Sequence, residues 1–182
     1  MGEYKNPWKK INEKNIYDNP WINVSEHHVI NPNGKNGIYG KVSFKHKALG
    51  IIPLDFDQST WLVGQYRYTL NEYSWEIPMG GGPLSDNILE SAKRELKEET
   101  GLEASRWTKL LRIHTSNSVT DEEGFIFLAE ELSYGEPQFD DTEKLEIRKI
   151  PFNQAYEMVV QNKITDSLSI AGILMVAKQL SL

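Results

Sequence analysis

The stretch Arg94-Glu95-Leu96-Lys97-Glu98-Glu99-Thr100-Gly101 constrains this chain more than any other. Ile88, Leu89, Ala92 and Leu96 recur at helical spacing, which predicts a helix over 85–100. Ser85 or Asp86 is placed to cap its start, and Gly101 to end it in a left-handed turn. On such a helix Glu95 and Glu99 are i,i+4 neighbours, and Glu98 is i,i+3 from Glu95. Carboxylates at that spacing repel, and the C-terminal end of a helix is the wrong pole for anions. The arrangement is destabilising unless a positive group sits among them. Mg²⁺ fits that need, because it takes hard oxygen ligands and shares them with substrate phosphates. The plainer alternative is a solvated acidic face supported by Glu90–Arg94 and Arg94–Glu98 pairs.

Around this helix the pattern is mixed. The short runs Trp21–Val24, His28–Ile30 and Tyr39–Phe44 flank the turn signal Asn31-Pro32-Asn33-Gly34, which predicts a hairpin-rich β segment. Ala48–Leu54 is a nearly continuous apolar run, the mark of a buried strand. Thr60–Tyr68, Trp75–Pro78, Trp107–His114, Gly124–Glu131 and Leu145–Ile150 also read as strands, with a polar loop at 115–123. Phe152–Val160 and Asp166–Leu180 read as helices, the second capped by Thr165. Its apolar stripe is Ile170, Ile173, Leu174, Ala177 and Leu180. The succession predicts an α+β fold, a sandwich of helices on a mixed sheet. A small β-rich N-terminal lobe over 1–47 precedes a main domain over 48–182.

Charge and composition narrow the function. Twenty Lys+Arg against 26 Asp+Glu gives a net charge of −6, too acidic for a generic nucleic-acid binder. An acidic chain can still act on a phosphate ester when its carboxylates hold divalent metal. With no cysteine, thiolate chemistry and disulfides are excluded. No apolar run approaches the length of a bilayer span, and the first residues lack the apolar stretch of a secretory signal, so no membrane association and a cytoplasmic location are expected. His27 and His28 are adjacent, so in a strand they face opposite sides and do not share a ligand; with His46 and His114 they read as structural or solvated.

From Gly80 to Leu102 the chain resembles the Nudix box, G-x5-E-x7-R-E-U-x-E-E-x-G-U, where U is aliphatic. Gly80, Arg94, Glu95, Leu96, Glu98, Glu99, Gly101 and Leu102 all match, and Asp86 stands in place of the first Glu. The resemblance implies a Nudix α/β/α sandwich. It implies Glu95 and Glu99 as principal ligands of Mg²⁺ (Mn²⁺ as an alternative), Glu98 as a further ligand or its catalytic neighbour, and Arg94 as the residue that orients them. Asp86 is expected to weaken support of the loop rather than abolish catalysis.

The flanks resemble one branch of that family. Gln65-Tyr66-Arg67 and Glu76-Ile77-Pro78-Met79-Gly80 are similar to the Q-[YF]-R … E-x-P-A-G pattern of ADP-ribose pyrophosphatases and related nucleoside-diphosphate-sugar hydrolases. This implies phosphate contacts from Arg67, a metal-binding carbonyl at Met79, and a substrate or loop role for Glu76. Residues 115–129 resemble the branch's S-P-G-x-x-x-E … F-L-A segment, which implies Glu122 as general base with Glu123 as its competitor. Asn117 replaces a proline that marks ADP-ribose specificity in the branch. The N-terminal lobe would pair across a homodimer and stack the nucleobase on Trp21 and Tyr39. Lys45 or Lys47 would stand where the branch often has a phosphate-binding Arg.

The expected reaction is Mg²⁺-dependent hydrolysis of the pyrophosphate bond of a nucleoside-diphosphate sugar, giving a nucleoside monophosphate and a sugar phosphate. The rival readings are a Nudix hydrolase of nucleoside triphosphates or dinucleoside polyphosphates, and a non-catalytic nucleotide-sugar sensor.

Overall fold

The structure is a computed structural model that describes residues 4–137 and 145–182. It divides into two compact units. The first comprises the chain up to His46 together with Ser116–Glu122, and the second Lys47–Thr115 with Glu123–Leu182.

The first unit is an antiparallel sheet of β1 (Lys9–Asp18), β2 (Ile22–Ile30) and β3 (Asn36–Phe44), in that order. The expected hairpin is present. Asn31 builds its turn by accepting the Asn33 and Lys35 N–H groups on its side-chain oxygen. β1 escapes sequence patterning because it is exposed throughout and carries only scattered apolar residues; pairing with β2 defines it. The segment 116–122 docks on β3. The Val42 N–H donates to the Val119 carbonyl (2.9 Å), the Phe44 N–H to Asp121 Oδ1 (3.0 Å), and Lys41 pairs with Asp121 (2.7 Å).

The second unit carries two sheets. One has the order β7 (Met79–Pro83), β4 (His46–Pro53), β9 (Glu123–Tyr134), β8 (Leu102–His114), with β4 parallel to β9 and β8 antiparallel to it. The other is β10 (Glu146–Pro151), β5 (Ser59–Arg67), β6 (Glu72–Glu76), antiparallel throughout. The helices are α1 (Ile88–Thr100), α2 (Phe152–Val160) and α3 (Ser167–Gln179).

Strand alternation explains the layering. Leu49 and Ile51 of β4, with Phe125, Phe127 and Ala129 of β9, pack with Ala92 and Leu96 of α1. The residues between them, Ile52, Ile126 and Leu128, pack with Phe152 and Ala155 of α2 and with Leu168, Ile173 and Val176 of α3. A strand buried on both faces needs apolar residues at successive positions, which is why 48–54 reads as a continuous run. The mixed-sheet α/β/α sandwich is therefore as expected.

Three local expectations are corrected. Asn87, not Ser85 or Asp86, caps α1: its side chain accepts from the Leu89 N–H (2.9 Å) and the Glu90 N–H (3.4 Å), while Ser85 donates to Asp86. Asp166, not Thr165, caps α3 by accepting the Ser169 N–H (2.7 Å); a carboxylate suits the positive end of the helix. In α3 the buried face is Leu168, Ser169, Gly172, Ile173, Val176 and Ala177, and Leu174 is exposed, because the small residues Ser169 and Gly172 admit the sheet more closely than the apolar stripe alone foretells.

Asp55 ties the second unit together. Its buried carboxylate accepts from Lys149 Nζ (2.7 Å), the Tyr134 hydroxyl and the Phe56 N–H (2.9 Å). The Lys149 bond foremost, then that from Tyr134, holds its pKa below the ordinary 3.8. The stabilisation is complete above that value and is lost as pH falls through the lower folded pKa. Urea midpoints measured from pH 7 to pH 2 should therefore fall more steeply below about pH 4 in the wild type than in Asp55→Asn. Parallel curves would show that the carboxylate contributes nothing of this kind.

Candidate active site

The C-terminal half of α1 carries the box glutamates and Gly101 ends it. Gly101 has φ 72°, and a Cβ there would strike the Gly135 carbonyl, so only glycine serves. Three carboxylates then sit on one face in different settings. Glu99 is 2% exposed, and its Oε2 accepts the Met79 N–H at 2.8 Å. The Glu95 side chain is 12% exposed and packs onto Gly80 so closely that a Cβ at Gly80 would run into its carboxylate. Glu98 is more open.

Arg94 bridges the outer pair. It donates to Glu95 Oε1 (2.6 Å), to Glu98 Oε2 (2.5 Å) and to the Gly81 carbonyl (3.1 Å). Burial works against its charge, but Glu95 and Glu98 together outweigh that and hold its pKa above the ordinary value. The like-charge problem posed by the sequence is thus partly answered by the box arginine.

Arg67 at the end of β5 and Glu76 at the end of β6 form a forked ion pair. Arg67 Nε donates to both Glu76 oxygens (2.9 and 3.2 Å), and Nη2 adds a third bond. Glu76 is 3% exposed, so its carboxylate is taken up by Arg67, whose side chain remains about a third open. The Arg67 pKa is raised by that hydrogen bonding first, with further pull from the charges of Asp166 and Glu99. Arg67, Glu76, Glu99 and Asp166 therefore share one electrostatic neighbourhood.

The donor set fits a hard divalent cation: carboxylate oxygens from Glu95, Glu98 and Glu99 on one helix face, two of them largely shielded from water. Among the described residues no three acidic or histidine side chains form a ready-made cage.

Of the remaining predicted residues, Trp21, Tyr39, Lys45 and Glu122 lie in the first unit, and Lys47 and Glu123 in the second. Glu122 ends the docked segment, with its N–H donating to Thr120 Oγ1 (3.4 Å). Its competitor Glu123 begins β9 and is ion-paired with Arg112. Tyr39 donates to the Ser118 carbonyl (2.6 Å) and meets Trp8 edge-on at 5.4 Å. The two rings help line a cavity of about 320 Å³ together with Lys10, His27, Lys41 and Asn117. Trp21 is not in that wall; it is 66% exposed. Lys45 pairs with Asp18 (2.9 Å), and Lys47 lies over the Phe125 ring. Trp8 was not anticipated, since the only signal at Pro7-Trp8 is an aromatic outside any strand pattern.

The chain matches the NUDIX domain over residues 44–168. It belongs to the Nudix family. A second match, to the nucleoside diphosphate sugar hydrolase N-terminal domain, covers residues 8–42. Among Nudix relatives, an ADP-ribose pyrophosphatase of Bacillus subtilis (strain 168) is 30% identical over 162 residues, 87% of this chain and 86% of that protein. An ADP-ribose pyrophosphatase of Mycobacterium tuberculosis is 34% identical over 135 residues, 71% of this chain; the chain spans 64% of that relative's length. A GDP-mannose pyrophosphatase of Klebsiella pneumoniae is 28% identical over 133 residues, 69% of this chain and 63% of that protein. A crystal structure of an ADP compounds hydrolase superposes with a TM-score of 0.86 at 19% identity, covering 99% of this chain and 97% of that one, a likeness of fold.

Proposed function

We propose that this Nudix protein hydrolyses the pyrophosphate bond of nucleoside-diphosphate sugars of the ADP-ribose kind, releasing a nucleoside monophosphate and a sugar phosphate. The observation that carries the reading is the Glu95–Glu98–Glu99 face, backed by Gly80, the Met79 N–H and Arg94, in a chain whose residues 8–42 match a nucleoside diphosphate sugar hydrolase domain. The names of the relatives support the same substrate class.

Glu95 and Glu99, with Glu98 and the Met79 carbonyl, would hold Mg²⁺, or Mn²⁺ in its place. When bound, the cation neutralises diphosphate charge and acidifies water. Arg94 keeps Glu95 and Glu98 aligned. Arg67, already oriented by Glu76, offers its open edge to phosphate oxygens, whose geometry a guanidinium matches. Glu122 takes the proton from the attacking water. Glu123, ion-paired with Arg112, is the competing candidate for that role. Trp21 and Tyr39 supply faces for a nucleobase; stacking of this sort contributes roughly 1–3 kcal/mol and tolerates several bases.

The domain roles follow: 1–47 for dimerisation and base binding, 48–182 for hydrolysis. Exposed Ile11, Ile16, Tyr17 and Ile38 on the N-terminal sheet suit coverage by a second copy, hence a homodimer. No described helix is long and apolar enough to cross a membrane, and a cytoplasmic site of action is the reading that goes with a nucleotide substrate.

Phosphatase-coupled phosphate release with Mg²⁺ tests the reading on ADP-ribose, ADP-glucose, GDP-mannose, UDP-glucose, diadenosine polyphosphates and dNTPs. Turnover of several sugar nucleotides without triphosphates is expected. Turnover confined to triphosphates would overturn the substrate class, and silence on the whole panel would overturn the enzyme reading in favour of a sensor.

A further inference from the structure

Between β6 and β7 the chain passes through Glu76-Ile77-Pro78-Met79, and every one of these residues is held by a different element. The Glu76 side chain is taken by Arg67 of β5. The Ile77 N–H donates to Ser169 Oγ of α3 at 3.1 Å. The Pro78 carbonyl accepts from the Ile51 N–H of β4 at 2.9 Å. The Met79 N–H donates to Glu99 of α1 at 2.8 Å. Ile77 lies outside both flanking strands, so its N–H has no ladder partner there, and the residue is fully buried. Ser169 is also fully buried, on a face of α3 otherwise given to packing. Its backbone N–H is in turn fixed by the Asp166 cap, whose charge is felt by Arg67.

We infer that Ser169 is a positioning residue for this site: through the Ile77 N–H it sets the segment that aligns the Arg67–Glu76 pair with the Met79–Glu99 pair. The inference rests on the proposed hydrolase reading for its effect on turnover and on the proposed cation site alone for its effect on Mn²⁺ binding. A buried polar hydrogen bond between two loosely related elements fixes register in a way that apolar packing does not, because the N–H left without its acceptor must move to find another. Only Ile77 and Pro78 separate Glu76 from Met79, and Pro78 stiffens the link. A shift at Ile77 is therefore passed to Glu76 and Met79.

The test compares wild type, Ser169→Ala, Ser169→Thr and Val159→Ala, the last a packing control on α2 in the apolar cluster that also holds Ile77. Mn²⁺ binding is followed by electron paramagnetic resonance, and kcat and KM are measured for a turned-over nucleotide sugar. Ser169→Ala is expected to weaken Mn²⁺ binding at least fivefold and to lower kcat tenfold or more. Ser169→Thr, which keeps the oxygen, should recover most of both. Val159→Ala should lower the melting temperature yet leave both near wild type. Unchanged Mn²⁺ affinity and kcat in folded Ser169→Ala, or equal losses in Val159→Ala, would overturn the assignment. If Ser169→Ala does not fold, Ser169→Cys, which keeps the volume but offers a poor acceptor, takes its place under the same criteria. A wild type that turns over no nucleotide sugar while Ser169→Ala still weakens Mn²⁺ binding would sink the hydrolase reading and leave the positioning role standing.

Discussion

Glu99→Gln should lower kcat on the order of 10³-fold at saturating Mg²⁺ while the protein stays folded. Glu99 is buried, and Gln keeps its shape. The amide oxygen can still accept the Met79 N–H that Glu99 Oε2 now receives at 2.8 Å. The backbone contact therefore survives the change, and only the negative charge is lost. That charge is what a hard cation needs from this position. A 10³-fold loss is about 4 kcal/mol of transition-state stabilisation, the size found when a charge-stabilising group is removed from a site of this sort. Melting temperature and kcat, measured on one preparation, separate the two effects. Near-normal turnover with Mg²⁺ saturating would remove Glu99 from the ligand set.

Gly80→Ala should be the second large effect, and it should spare stability for a different reason. The added methyl would overlap the Glu95 carboxylate, which is the far end of a side chain and can swing aside. The fold therefore has a cheap escape, whereas the site does not: Glu95 leaves the position that Arg94 and Gly80 define for it. Misplacement of a reacting or ligating group by about 1 Å can lower the rate on the order of 10²-fold. A melting temperature within a few degrees of wild type is expected, together with a loss of that order and a raised Mg²⁺ requirement. Activity within threefold of wild type would show that Glu95 need not sit against Gly80.

These two sites also mark what was legible in sequence. The Gly80-to-Leu102 spacing is a local property, because helix geometry alone puts Glu95, Glu98 and Glu99 on one face. The same holds for Gly101, whose left-handed turn only glycine accommodates easily. The double-sided burial of β4 was readable from its unbroken apolar run. Local capping was less so: Ser85, Asp86 and Asn87 are all good caps, and the backbone turn at Pro83–Asp86 decides that Asn87 takes the role. β1 could not be read, since its strand character comes from β2 rather than from its own residues.

Spacing and periodicity along the chain set the carboxylate helix, the order of strands and helices apart from β1 and β7, and the box that assigns the chain to the Nudix family. Tertiary packing settles how the like charges are tolerated: Arg94 across Glu95 and Glu98, the Met79 N–H on Glu99, and Arg67 spent in part on Glu76. It also decided that Ser169, 92 residues from Ile77, supplies the acceptor for that residue's N–H. Periodicity reports which face of one element is buried. It carries no information about which distant polar atom meets a given donor, because that pairing depends on how separate elements pack.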